Sequence, residues 1–155
     1  MASKNKHSIS DLVSEQTIAL NIDVKNWKEA VRISGEMLVK GGMVEERYVD
    51  AMIETVESLG PYIVIAPGVA LPHARPEDGV IKPCMSVVIL KDPVNFGNEY
   101  NDPVKLVVSF GTVDRRAHVK ALCKLARIIG DSKKLKRLMD ATETQEVKKI
   151  IGEPA

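Results

Sequence analysis

Two apolar runs restrict the folds open to this chain more than any other feature. Residues 84–90 (Cys-Met-Ser-Val-Val-Ile-Leu) and 104–110 (Val-Lys-Leu-Val-Val-Ser-Phe) are rich in β-branched residues, and Lys105 is their one charge. Runs of this length without polar alternation read as strands buried on both faces, and such strands need a covering layer on each side of their sheet. Helical patterns supply both layers. On the N-terminal side, Asn26-Trp27-Lys28-Glu29 has the form of a capping box, and Trp27, Ala30, Val31, Met37 and Leu38 then keep helical spacing up to Gly41-Gly42, with Trp27 as a packing anchor. A second helix is expected over 45–59, with Val44, Tyr48, Met52, Val56 and Leu59 as its stripe and Gly60-Pro61 as its stop. On the C-terminal side, Asp114 is a suitable N-cap for a helix carrying Ala121, Leu122, Leu125, Ile128 and Ile129, ended by Gly130. Ser132 and a Thr142/Gln145 capping box open two shorter helices. Alternation at 17–22, the β-branched and aromatic run 62–65, and 94–96 at an edge add strands, and 8–12 starts a short helix. The expected fold class is α/β, a mixed β-sheet sandwiched between helices. The expected organisation is one domain over 1–155, with 1–7 disordered.

Composition excludes several function classes. The chain has 155 residues, 45% of them apolar, and a net charge of +1, which gives no electrostatic case for nucleic acid or for an anionic membrane. The run Lys133-Lys134-Leu135-Lys136-Arg137 is broken by Leu135, with Leu138 at helical spacing, and reads as the solvated face of a helix. No apolar run approaches the ~20 residues of a membrane span, and no signal peptide is visible. Cys84 and Cys123 stand in apolar surroundings and read as buried free thiols, with no disulfide framework or zinc spacing. A reducing cytoplasm suits these features.

The chemistry concentrates in Ile65-Ala66-Pro67-Gly68-Val69-Ala70-Leu71-Pro72-His73-Ala74-Arg75-Pro76. Three prolines fix φ and remove donors, so the segment is not helical. Val69-Ala70-Leu71 can form a short extended piece that carries His73 to its end, where an imidazole is held still yet reachable. Isolated histidines most often have a hydrogen-bonding role, so His73 alone marks no site. A second histidine, His118, opens the helix behind Asp114 and shares its inward face with Leu122, Leu125 and Ile129. A neutral imidazole is a competent nucleophile near pH 7, and a second histidine at a helix N-terminus can stabilise an anion.

The Ala-Pro-Gly-Val-Ala-Leu-Pro-His segment, with a helix-opening histidine 45 positions after His73, resembles the enzyme IIA components of the bacterial sugar phosphotransferase system, in the mannitol/fructose superfamily. Gly60-Pro61-Tyr62, the run 72–79 and Asn101-Asp102-Pro103-Val104 look most like its L-ascorbate branch, and the resemblance spans about residues 11–152. It implies the α/β fold of mannitol/fructose-type enzyme IIA. It also implies a phosphotransferase component with a covalent phosphohistidine. His73 would take the phosphoryl group on Nε2 from the phosphocarrier HPr and pass it to a cysteine of an enzyme IIB, with a membrane enzyme IIC involved only indirectly. His118 would assist. Val69, Leu71 and Val113 are candidates for an apolar partner-facing rim.

Mannitol-type relatives carry an arginine late in the helix before the active strand, where this chain has Val56 and Glu57. Arg75 and Arg115 are the candidate replacements for neutralising phosphate. Asp114 reads as a cap rather than a base, and Glu77 and Asp78 as turn residues. No cofactor or metal is expected, since His73 and His118 have no third ligand in a ligand spacing. The alternatives are a regulatory interaction module of the same fold, or a IIA for another sugar or pentitol.

Overall fold

The computed structural model describes residues 9–153, so the 1–7 segment expected to be disordered lies outside the described residues. The two apolar runs are the antiparallel centre of a five-stranded sheet. β4 (Cys84–Val94) pairs with β5 (Val104–Gly111) from Cys84 opposite Gly111 to Val94 opposite Val104. β1 (Ile18–Ile22) joins β4 in parallel. β3 (Val69–Ala70) joins β5 in parallel and carries β2 (Val64–Ala66) antiparallel at the edge, giving the order β1-β4-β5-β3-β2. The sheet is therefore mixed, as expected.

Both faces are covered. Cys84, Val88, Leu90 and Val107 face α1 (Trp27–Lys40) and α2 (Glu46–Leu59). Met85, Val87, Ile89, Leu106, Val108 and Phe110 face α3 (Arg115–Ile129), α4 (Ser132–Met139) and α5 (Thr144–Ile151). The two buried polar residues of the central strands lie on the α1 side and are satisfied. Ser86 Oγ donates to the Ser34 carbonyl (2.8 Å), Ser34 Oγ donates to the Val31 carbonyl (2.7 Å), and the Ser109 and Ser34 hydroxyls are bonded to each other. A buried polar trio with every partner in place fixes the seating of α1 on the sheet. At the α1–α2 crossing, a Cβ on Gly35 would lie 2.8 Å from Val49 Cγ2 and 3.0 Å from Met52 Cε.

Several expectations shift. The 62–65 strand begins two residues later, because the Tyr62 and Val64 amides are taken in turns by the Gly60 and Pro61 carbonyls. The edge strand at 94–96 does not form separately. β4 runs on to Val94, and the Asp102 carboxylate takes the Phe96, Gly97 and Asn98 amides at 2.8–3.0 Å. Leu59, placed on the α2 stripe, is 72% exposed, while Tyr48, Val49, Met52, Ile53 and Val56 are buried. Cys123 is exposed, unlike Cys84, whose thiol is pushed up to about 12 by burial. Asn26 caps α1 by accepting from Glu29 N (2.9 Å), but the Glu29 carboxylate returns to Lys25 N rather than Asn26. Asp131 rather than Ser132 caps α4, accepting from the Lys133 and Lys134 amides at 3.1 Å. Glu143 stands at the N-cap of α5, and the Thr142 amide donates to the Glu146 carboxylate in place of the expected box. Trp27 packs against Phe96 at 6.0 Å between ring centroids, as an anchor should.

Replacing Gly35 by Val should lower stability by about 1–3 kcal/mol through overpacking against Val49, read as a lower urea midpoint with an unchanged m-value. An unchanged midpoint would show that α1 and α2 are free to move apart.

Candidate functional site

The site is built where the β2–β3 hairpin meets the end of β5 and the start of α3. Pro67 and Gly68, at φ +79°, turn the chain between β2 and β3. Pairing of Val69 with Leu106 and Ala70 with Val107 sets a register offset of 37 positions between β3 and β5. The same offset sets His73 opposite Phe110. The Phe110 amide donates to the Pro72 carbonyl (3.3 Å), and the His73 and Phe110 rings stack at 5.0 Å with 29° between planes. Asp114 then starts α3 by accepting from Ala117 N (2.8 Å). His118 comes one turn into that helix, its ring 5.1 Å from that of His73 and 5.3 Å from that of Phe110. Tyr62 meets His73 edge-on at 6.1 Å.

The two imidazoles are held differently. His73 Nδ1 lies 2.7 Å from the Leu71 carbonyl oxygen. A carbonyl only accepts, so Nδ1 carries the proton and the lone pair of the neutral ring is on Nε2. His118 Nδ1 is buried and has no partner among the described residues, so nothing there fixes its tautomer. Burial lowers the pKa of His73 below its ordinary value; the bond to Leu71 works against that shift and the nearby His118 adds to it. Burial also lowers that of His118. Both rings are therefore held neutral at pH 7.

A cleft of about 820 Å³ opens over these rings. Its α2 wall is Ala51, Glu54, Thr55, Ser58 and Leu59, without a cation. Val56 is buried and Glu57 pairs with Lys28 at 2.5 Å, so neither stands in for the arginine of mannitol-type relatives. Besides the histidines, the basic residues lining the cleft are Arg75 and Arg115. The Arg75 guanidinium is already held in its own turn by Asp78, 3.4 Å from each carboxylate oxygen, with Glu77 at 4.0 Å. Arg115 is exposed in the first turn of α3 and forms no ion pair among the described residues.

Of the rim candidates, only Val113 is exposed, at 50%. Val69 and Leu71 are at most 1% exposed, because they belong to the sheet face under α3. The apolar rim is instead Leu59 (72%), Tyr62 (45%) and Val113. Phe110 and Tyr62 were not legible as neighbours of His73. Each sits in a run that already had a packing explanation, and only the strand register brings Phe110 beneath His73. Among the described residues, no group of three or more His, Cys, Asp or Glu side chains is placed to hold a metal ion. No helix among the described residues is long and apolar enough to cross a membrane.

Residues 11–153 match the family described as phosphoenolpyruvate-dependent sugar phosphotransferase system, EIIA 2. The chain belongs to that family. It is 38% identical over 141 residues to the ascorbate-specific PTS system EIIA component of Escherichia coli K12, covering 90% of this chain and 92% of that one. The solution structure of the mannitol-specific cryptic phosphotransferase enzyme IIA of Escherichia coli superposes with a TM-score of 0.84 at 33% identity, covering 94% of this chain and 98% of that one. A complex of mannitol enzyme IIA with phosphorylated enzyme IIB from Escherichia coli superposes with a TM-score of 0.79 at 30% identity, over 90% of this chain and 96% of its own. This EIIA is thus a phosphotransferase component with the α/β fold of mannitol-type enzyme IIA.

With both folded-state pKa values below 6.5, the unfolded chain binds more protons as the pH falls, so the stability contributed by the neutral rings is full above 6.5 and lost below it. Ring-proton NMR titration should give midpoints below 6.5 for His73 and His118. A midpoint at or above that value for either ring would contradict the buried, neutral description.

Proposed function

We propose that this EIIA accepts a phosphoryl group from phospho-HPr on Nε2 of His73 and passes it to a cysteine of a cognate enzyme IIB. The observation that carries this reading is the bond from His73 Nδ1 to the Leu71 carbonyl. It assigns the lone pair to Nε2 and keeps the ring from rotating, while burial favours the neutral nucleophile without a separate base. In the first step the Nε2 lone pair attacks phosphorus in line, the phosphorus–nitrogen bond to the donor histidine breaks, and its electron pair returns to the donor. In the second step the IIB thiolate attacks, the His73 phosphorus–nitrogen bond breaks, and His73 recovers its lone pair. The proton on Nδ1 never moves. Such transfers depend on positioning and on charge stabilisation.

His118 stands 5.1 Å from His73, ring to ring, and supplies a hydrogen bond to a phosphoryl oxygen. Arg115 is the better-placed cation. In the first turn of α3 its charge opposes the positive end of the helix dipole, a placement that a dianionic phosphoryl group would reverse in sign. Arg75 would first have to leave Asp78, which is inexpensive for an exposed pair. Leu59, Tyr62 and Val113 form the docking rim for both partners in turn. The chain would act in the cytoplasm, beside a membrane enzyme IIC that it meets only through IIB. Ascorbate is the sugar assigned, on the strength of its ascorbate-specific relatives.

Replacing His73 by Ala should abolish acceptance from phospho-HPr while the circular-dichroism spectrum is unchanged; normal acceptance would move the site elsewhere. Replacing Arg115 by Ala should slow acceptance by about tenfold and more than Arg75→Ala does, measured as the single-turnover rate. Transfer to an ascorbate IIB but not to a mannitol IIB is expected, and the reverse preference would reassign the sugar.

A further inference from the structure

Tyr48 is the largest of the fully buried side chains among the described residues, and its hydroxyl sits just past the end of the β3–β5 ladder. In a parallel pair, one residue of a strand bonds through its N–H and its C=O to the two residues flanking its opposite number. Phe110 stands opposite His73 by the offset that pairs Val69 with Leu106. Its first bond is present, from the Phe110 amide to the Pro72 carbonyl at 3.3 Å. The second would run from the Ala74 amide to the Phe110 carbonyl. It is relayed instead through Tyr48: the Ala74 amide donates to Tyr48 Oη (3.0 Å), and Tyr48 Oη donates to the Phe110 carbonyl (2.7 Å). The Ala74 carbonyl, 3.3 Å from the same hydroxyl, is the longer of its two acceptor contacts. The single hydroxyl proton therefore belongs to Phe110.

We propose that Tyr48 is a positioning residue for phosphoryl transfer: its hydroxyl, inserted between Ala74 and Phe110, holds the backbone at His73 one hydroxyl width off the sheet while keeping the strand register. This rests on the reading of His73 as the phosphoryl acceptor. A direct Ala74–Phe110 bond would draw the backbone into the sheet and His73 with it. Without any bond, the segment 72–74 would be tied on one side only. With the relay, Pro72 and Ala74 are both anchored to Phe110, the imidazole rests on the Phe110 ring, and the distance to His118 on α3 is set. α2 is thereby coupled to the reacting ring although none of its side chains touches it through this tie.

The hydroxyl suits the task, because burial raises the Tyr48 pKa and the group stays protonated throughout the working range. A phenylalanine would fill the same space and leave the Ala74 amide and the Phe110 carbonyl to find each other or to stay unpaired.

The test is Tyr48→Phe in the full chain beside Ser34→Ala, which disturbs a buried polar tie on the α1 face of the sheet at a residue that does not line the cleft. The single-turnover rate at saturating phospho-HPr is expected to fall about tenfold in Tyr48→Phe, with the half-saturating concentration changed less than about twofold, and to stay within about twofold in Ser34→Ala. In ¹⁵N spectra, wild-type His73 should show the pure Nδ1–H tautomer and Tyr48→Phe a mixture. Equal rates in Tyr48→Phe and wild type, or equal losses in both variants, would overturn the proposal. If the wild-type chain accepts no phosphoryl group, the reading of His73 as acceptor has failed, and the positioning claim is judged by the tautomer alone. If Tyr48→Phe does not fold, hydrogen exchange in the wild-type chain decides. Strong protection of the Ala74 amide supports the relay, and exchange at the rate of a free amide overturns it.

Discussion

The position of His73 depends on the parallel pairing of a two-residue strand. β3 contributes only Val69 and Ala70 to the ladder, yet it lies between β2 and β5 and is buried on both faces. That pairing sets the offset that brings Phe110 opposite His73. The chain cannot slip by one residue without turning Val69 and Leu71, and with them His73, toward the opposite face of the sheet. The pyrrolidine rings at Pro67 and Pro72 keep the strand short and leave its continuation free to depart from the sheet. Strand register, ring stacking, the Leu71 carbonyl and the helix that presents His118 are consequences of one alignment.

The electrostatics of the site follow from the same packing. Two imidazoles meet over a phenylalanine ring, with a tyrosine edge beside them, and burial keeps both neutral. Such surroundings suit the proposed phosphoryl acceptor, since they do not hold a charged ring in place. Positive charge is kept to the cleft wall, in Arg75 and Arg115, where the proposed reaction would use it to meet a phosphate. Where the resemblance implies a cation late in α2, Val56 points into the core and Glu57 is engaged by Lys28.

Much of this was legible in the sequence. The apolar runs gave the central strands, and the helical stripes gave both covering layers. His73 and His118 could be picked out by their proline and helix contexts. The failures have physical causes. Val69 and Leu71 were placed on the rim because three residues between prolines carry no periodicity, and only the neighbouring strand reveals that they are interior. Leu59 follows the α2 stripe, yet it is the last residue of the helix, which stops at Gly60, and its side chain is left exposed at the cleft. Tyr48 fits an apolar stripe as well as any leucine would, so nothing local reports that its hydroxyl is bonded to two backbone segments 26 and 62 positions away. Long-range register decides such roles.

The measurement that bears most directly on the account is identification of the phosphorylated atom. The purified chain would be incubated with phosphoenolpyruvate, enzyme I and HPr, and ¹⁵N–³¹P coupling recorded at alkaline pH, where phosphohistidine persists. The account predicts one phosphoryl group on Nε2 of His73, with Nδ1 still protonated. Coupling to Nδ1, or a phosphoryl group on His118, would contradict it, because the Leu71 carbonyl would then not be what selects the nucleophile.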